Sequence, residues 1–175
     1  MTDLRDTLTG PDGWFGAIVN KIPFYKGYKD KELRREADSL LRDHLALQLS
    51  QQLSRAEDVG SQMLTGPGMM QLDDIGQANT RLQTLIDKVK TAAQGYAGLL
   101  DAVKIQEEEL DLLYEFDHNM LTKVDEIGEA IEAVQAAVNS GDGEALPATV
   151  RRYTATVTEA SALFDRRKET ILGLS

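Results

Sequence analysis

IGQANTRLQTLIDKVKTAAQGYAGLLDAVKIQEEELDLLYEFDHNMLTKVDEIGEAIEAVQAAV, residues Ile75–Val138, decides the fold. It contains no proline and keeps apolar side chains on a seven-residue ladder. One rung reads Ile75, Leu82, Val89, Tyr96, Val103, Leu110, Asp117, Val124, Ile131, Val138. The other reads Ala78, Leu85, Ala92, Leu99, Gln106, Leu113, Met120, Ile127, Val134. Two apolar positions per heptad place one continuous seam on a helix, and that seam must be buried against other helices.

The ladder is not expected to be a single rod. A helix from Asp74 to Val138 would have 65 residues and reach about 97 Å at the α-helical rise. Gly95 and Gly98 each weaken it by about 1 kcal/mol relative to Ala, and Val103-Lys104-Ile105 favours extended backbone. Glu107-Glu108-Glu109 reads as the acid-rich first turn of a new helix, where negative charge offsets the helix dipole. A break near Asp101–Gln106 is therefore expected, with two helices folding back on each other.

Working outward, Thr65-Gly66-Pro67-Gly68 and Ser140-Gly141-Asp142-Gly143 are the clearest breakers. Before the first lies a stretch without Gly or Pro, from about Asp30 to about Glu57. Its stripe of Leu33, Ala37, Leu40, Leu41, His44, Leu45, Leu49 and Leu53 is wider than a two-stranded seam and suits a bundle. After the second breaker, Pro147 fits the first turn of a last helix, running to about Leu172. That helix has its own ladder of Val150, Val157, Phe164, Ile171 and Tyr153, Ala160, Leu174, interrupted by Arg167. Near the start, Asp12 is placed to cap a short helix over Gly13–Lys21, with Trp14, Phe15, Ile18, Val19 and Ile22 on one face and Pro23 as its stop. The expected fold is all-α: an antiparallel four-helix bundle with long coiled-coil-like helices and a short extra N-terminal helix. Residues 1–29 form an amphipathic, aromatic-basic segment and residues 30–175 the bundle domain.

Charge and composition exclude several functions. The net charge is −10. Residues 21–42 hold seven Lys/Arg against four acids, or +3, whereas residues 43–175 hold 22 acids against 11 bases, or −11. Nucleic acid is not the expected partner, because neutralising phosphates needs a clustered positive surface. The absence of cysteine rules out disulfides, thiolate metal sites and thiol nucleophiles. No apolar run approaches the roughly 20 residues of a membrane span. The opening Met-Thr-Asp-Leu-Arg-Asp is not expected to be a secretory signal. A cytoplasmic bacterial protein is expected, with a protein partner and with homo-oligomerisation and peripheral contact to the inner membrane compatible with the pattern.

Few constellations carry chemistry. Glu115 and His118 have the Glu-x-x-His spacing of di-iron bundles, but such sites need a second pair, and the residue three before His44 is Leu41. Asp117 sits on the apolar ladder and needs a partner or a channel to solvent, for which Arg81, Lys88, Tyr153 and Arg167 are the candidates. Glu115, Asp117 and His118 form the metal-binding alternative to a register-fixing polar contact. No calcium loop, phosphate loop or nucleophile setting is present. Neither an enzymatic activity nor a cofactor is expected. The acidic run Glu107–Glu132 is either a solvated face or, in a soluble adaptor, a dock for a basic partner.

The strongest functional lead is the segment Trp14–Arg35. Trp14, Phe15, Ile18, Tyr25, Lys26, Tyr28, Lys29, Arg34 and Arg35 combine an apolar-aromatic face with cations, the make-up of an interfacial anchor for an anionic membrane or a partner. The same residues fit a lid packed over one end of the bundle.

Two stretches carry a resemblance. KIPFYKGYKDKELRREAD (Lys21–Asp38) and GYAGLLDAVKIQEEELDLLYEFD (Gly95–Asp117) resemble an uncharacterised family of all-α bacterial proteins that accompany SPFH-type membrane scaffold proteins. The resemblance covers about a quarter of the chain and implies a membrane-associated role but supplies no catalytic residues. In that family an Asp, a proper helix cap, is usual where this chain has Gln106, which agrees with a break there. The expected function is that of a non-enzymatic interaction or scaffold protein.

Overall fold

A computed structural model describes residues 14–30, 34–92 and 107–173. The chain is an all-α bundle with no strand among these residues. Helix α1 is Trp14–Lys21, α2 Arg34–Gln62, α3 Leu72–Thr91, α4 Glu107–Ser140 and α5 Leu146–Gly173, with a 3-10 turn at Gly66–Gln71 leading into α3. The expected break near Asp101–Gln106 and the Asp12 cap lie outside the described residues. No described helix is long and apolar enough to cross a membrane.

Helix α2 runs five residues beyond the expected end at Glu57. Gly60 lies inside it and packs toward Ile75, so burial of Val59 and Met63 outweighs the weak helix propensity of glycine. The Asp142 carboxylate accepts the backbone N–H groups of Glu144 and Ala145 at 3.1 and 3.0 Å, which caps the start of α5.

The chain divides into two compact units. The first draws on residues up to Leu45, on Val89–Leu121 and on residues from Leu163; the second on Ala46–Lys88 and Thr122–Ala162. Ile18, Ile22, Tyr25 and Tyr28 are all buried and belong to the first unit.

In the second unit, segments of four helices enclose an apolar interior. Buried in it are Leu49, Leu53 and Val59 of α2, Met63 just after α2, Ile75, Leu82, Leu85 and Ile86 of α3, Val124, Ile127, Ile131 and Val134 of α4, and Val150, Tyr153 and Val157 of α5. Successive helices run antiparallel. Contacts from Gln52 to Gly128 and from Gln62 to Gln135 set α2 beside α4. Contacts from Asn79 to Tyr153, Arg81 to Thr158 and Lys88 to Ser161 set α3 beside α5. Because both residue numbers rise together, these side-by-side pairs run in the same direction.

Candidate functional site

The first unit holds the chain's unusual chemistry. It is built around the two charged residues that interrupt the apolar ladders. Asp117 is fully buried and Arg167 is 1 % exposed. They pair with each other, Arg167 Nε donating to Asp117 Oδ1 at 2.7 Å. Of the four partners open to Asp117 from sequence, this is the one chosen; Arg81, Lys88 and Tyr153 bond Thr158, Ser161 and Asn79 instead.

The pair extends into a network. Arg167 Nη2 donates to Asp38 Oδ1 at 2.8 Å and to Tyr28 Oη at 2.9 Å. Tyr28 Oη in turn donates to Asp117 Oδ2 at 2.5 Å. Arg42 Nε, one helical turn on from Asp38, donates to Asp38 Oδ2 at 2.8 Å. Acid and base therefore alternate from Asp117 through Arg167 and Asp38 to Arg42, all buried. Each charge has a partner of opposite sign within hydrogen-bond distance, the condition under which charges tolerate removal from water.

The network secures an irregular stretch of backbone. Arg34 Nε donates to the Tyr28 carbonyl at 2.8 Å, and the Tyr28 N–H donates to Tyr114 Oη at 2.8 Å. Phe15, Tyr25, Tyr28 and Tyr114 form an aromatic cluster with ring centroids 5.3–6.4 Å apart. Gly27 sits among them at φ 80°, where a Cβ would lie 2.7 Å from the Phe15 ring and collide with the Tyr114 hydroxyl. Only glycine satisfies both the backbone and the space.

Burial sets the electrostatics. It pushes Asp117 above the ordinary carboxylate range, with Arg167 and the Tyr28 hydroxyl pulling the other way. Burial and the Asp117 charge raise Tyr25 and Tyr28 far above an ordinary phenol. Burial also raises Tyr114. Tyr25 Oη is the one buried side-chain polar atom with no hydrogen-bond partner among the described residues. The phenols therefore stay neutral and the guanidinium groups stay charged, and the cluster works as a clamp.

What the clamp presents is Phe24. Pro23 ends α1, the Tyr25 N–H reaches back to the Ile22 carbonyl at 3.3 Å, and between them Phe24 adopts φ 64°. A bulky residue in the left-handed region is an outlier costing about 1–2 kcal/mol. Its ring is 86 % exposed. Lys21, Lys26 and Lys29 on the same short stretch are exposed as well.

The residues expected to form an anchor are thus divided. Ile18, Tyr25, Tyr28 and Arg34 are buried and unavailable to a bilayer or a partner, because their side chains build the interior of the first unit. Phe15 is half-buried, while Lys26, Lys29 and Arg35 are exposed; the Trp14 side chain lies outside the described residues. Phe24, the most exposed aromatic in the described stretch, was not signalled by sequence. Its mark was a bulky residue directly after a helix-stopping proline, and nothing in the letters reveals a positive φ. Glu115 and His118 are half-buried, and both carboxylate oxygens of Asp117 are occupied by Arg167 and Tyr28. Among the described residues no group of three or more His, Asp or Glu is arranged to hold a metal. Compared with known protein families, curated proteins and solved structures, the chain matches none.

Proposed function

We propose that this chain is a non-enzymatic interaction protein that attaches to an anionic membrane surface through the loop of residues 21–29. Phe24 enters the headgroup boundary and Lys21, Lys26 and Lys29 meet lipid phosphates. The observation that carries this reading is a phenyl ring held 86 % exposed at φ 64°. A strained, exposed aromatic fixed by a surrounding network points toward a role outside the fold. The charge distribution agrees in sign, since residues 21–42 carry +3 and residues 43–175 carry −11, so the attraction to an anionic surface comes from the stretch that holds the lysines.

The attachment is weak for one copy. Each lysine near an anionic leaflet contributes about 1 kcal/mol, and one ring adds about 1.5–3 kcal/mol if fully buried. Several copies in one assembly, or a neighbouring membrane protein, make it durable by raising effective concentration.

Co-flotation with vesicles containing phosphatidylserine tests the reading. The wild type is expected to float at low salt and to be released as salt rises. Phe24→Ser and Lys26→Gln/Lys29→Gln are each expected to remain at the bottom. A wild type that never floats, or a Phe24→Ser protein that floats equally well, discards the proposal.

A further inference from the structure

The second unit carries its own exposed apolar feature. Leu64 and Met69 are each 58 % exposed and Met70 is 88 % exposed. They project from the turn between α2 and α3, and the turn is well supported. Met63 is fully buried beneath it. Gly68 is buried so closely over Met63 that a Cβ would lie 2.9 Å from the Met63 side chain. Pro67 at the start of the 3-10 turn lies 3.0 Å from where a Gly143 Cβ would be. The turn before α5 thus braces the turn before α3, and the methionines stand on a fixed base.

The charged side chains of the two turns and their flanks are acidic, and the first cation along α3 is Arg81 at the far end of the groove. Residues 56–80 contain Glu57, Asp58, Asp73 and Asp74, and residues 133–150 contain Asp142 and Glu144, with no Lys or Arg in either stretch. All six acids are exposed. From this turn a shallow groove continues along α3, lined by Leu72, Asp73, Gly76, Gln77, Thr80 and Arg81. Nothing lies within 4 Å of the space a side chain at position 76 would fill.

We infer that this turn is a second docking surface, whose occupant is a basic amphipathic helix of a partner protein. Methionine side chains are flexible and polarizable and adapt to large apolar residues on an incoming helix. The acidic rim selects lysines and arginines flanking that apolar face and speeds the encounter. The same rim repels a second copy of this acidic chain and an anionic bilayer, so the surface is distinct from the Phe24 loop.

Fluorescence anisotropy with synthetic helical peptides tests it. The probes are a Leu/Lys amphipathic peptide, a Lys/Ser peptide lacking the apolar face, and a Leu/Glu peptide of opposite charge. The wild type is expected to bind the first and not the others. Met69→Ser/Met70→Ser is expected to weaken binding about tenfold or more, as loss of an apolar anchor does. Asp73→Asn/Asp74→Asn should weaken it less and flatten its salt dependence, while Asp125→Asn/Glu129→Gln should leave it within about twofold, as distant rim charges do. If the double methionine variant loses its cooperative melt, Met70→Ser alone reports the same loss. Equal binding by the methionine variants, or of the Lys/Ser or Leu/Glu peptide, overturns the proposal. So does a wild-type dimer in sedimentation that Met69→Ser/Met70→Ser dissolves, or flotation on neutral vesicles that it abolishes.

Discussion

The two units hold themselves together by different means. In the second unit nearly every inward position is aliphatic, and its ion pairs lie at the surface. Lys123 Nζ meets Glu126 and Glu159 at 2.7 and 2.8 Å, with carboxylates 41 % and 61 % exposed. In the first unit the ion pairs are the interior, Arg167 and Asp117 being all but inaccessible. An aliphatic core tolerates imprecision because burial has no direction. A buried ionic core does not, since each oxygen needs its donor in place. The first unit must hold an irregular loop in a strained conformation, and directional contacts do that better than greasy ones.

Removing one partner from each kind of ion pair exposes the contrast most sharply. Arg167→Met leaves Asp117 without its guanidinium partner and Asp38 with Arg42 alone, and is expected to destabilise the protein by about 3–5 kcal/mol. Arg167→Lys should rescue little, because an ammonium cannot serve Asp117, Tyr28 and Asp38 from a fixed fork. Lys123→Met, which breaks two surface pairs, is expected to stay within about 1 kcal/mol of wild type. Urea denaturation of all three proteins measures this. An Arg167→Met effect as small as that of Lys123→Met would mean the network is not a clamp.

Core truncation breaks the comparison from the other side. Leu82→Ala in the second unit removes a fully buried side chain and is expected to cost about 2–5 kcal/mol. Gly27→Ala in the first unit adds a single methyl group. It is nonetheless expected to cost about 1–3 kcal/mol, through the positive φ and the collision with Tyr114. Thermal melts rank the two. A neutral Gly27→Ala would show that the loop yields and that Phe24 is not held.

The same contrast explains what was legible in the sequence. Most described rungs of the long ladder, Ile75, Leu82, Val89, Leu110, Val124 and Ile131 among them, are buried as their spacing requires, while Ala92 and Val138 are half-buried. Heptad periodicity is a local signal, and helices and their inward faces follow from it. The two charged interruptions, Asp117 and Arg167, were visible one at a time, but their pairing joins residues 50 apart. Asp38 is 129 residues from Arg167 and Tyr28 is 139, and no periodicity announces such contacts. Three of the aromatic-basic residues took the right side chains to the wrong side. Tyr25, Tyr28 and Arg34 suit an interface in composition, yet they are consumed in holding Phe24. Two stretches of the sequence, Lys21–Asp38 and Gly95–Asp117, supply network residues, Tyr28, Arg34 and Asp38 from one and Tyr114 and Asp117 from the other.

Strain at Phe24 separates stability from attachment. Phe24→Gly removes the left-handed penalty and an exposed ring, and is expected to raise stability slightly, by up to about 1 kcal/mol, while abolishing flotation on anionic vesicles. Gain of stability with loss of binding is the signature of a residue kept for something other than folding. A destabilised Phe24→Gly protein would instead give the ring a structural role.

The smallest effect concerns pH and again belongs to the first unit. His44 on α2 and His118 on α4 both titrate below their ordinary value of 6.5, because partial burial disfavours the charged ring and Lys21 repels it. The unfolded chain therefore takes up protons first as pH falls. Stability is full above 6.5 and declines as pH drops through 6.5 toward the lowered values of the folded state. Both rings remain partly solvated, so solvent screening keeps each contribution below about 1 kcal/mol. Lys21→Met should flatten this slope between neutral and mildly acidic pH, because it removes a cation that repels both rings. Lys88→Met, in the second unit, should leave the slope unchanged. Melting temperatures followed across that range, with identical slopes for wild type and Lys21→Met, would show that burial alone lowers the two imidazoles and that the end of α1 does not sense their charge.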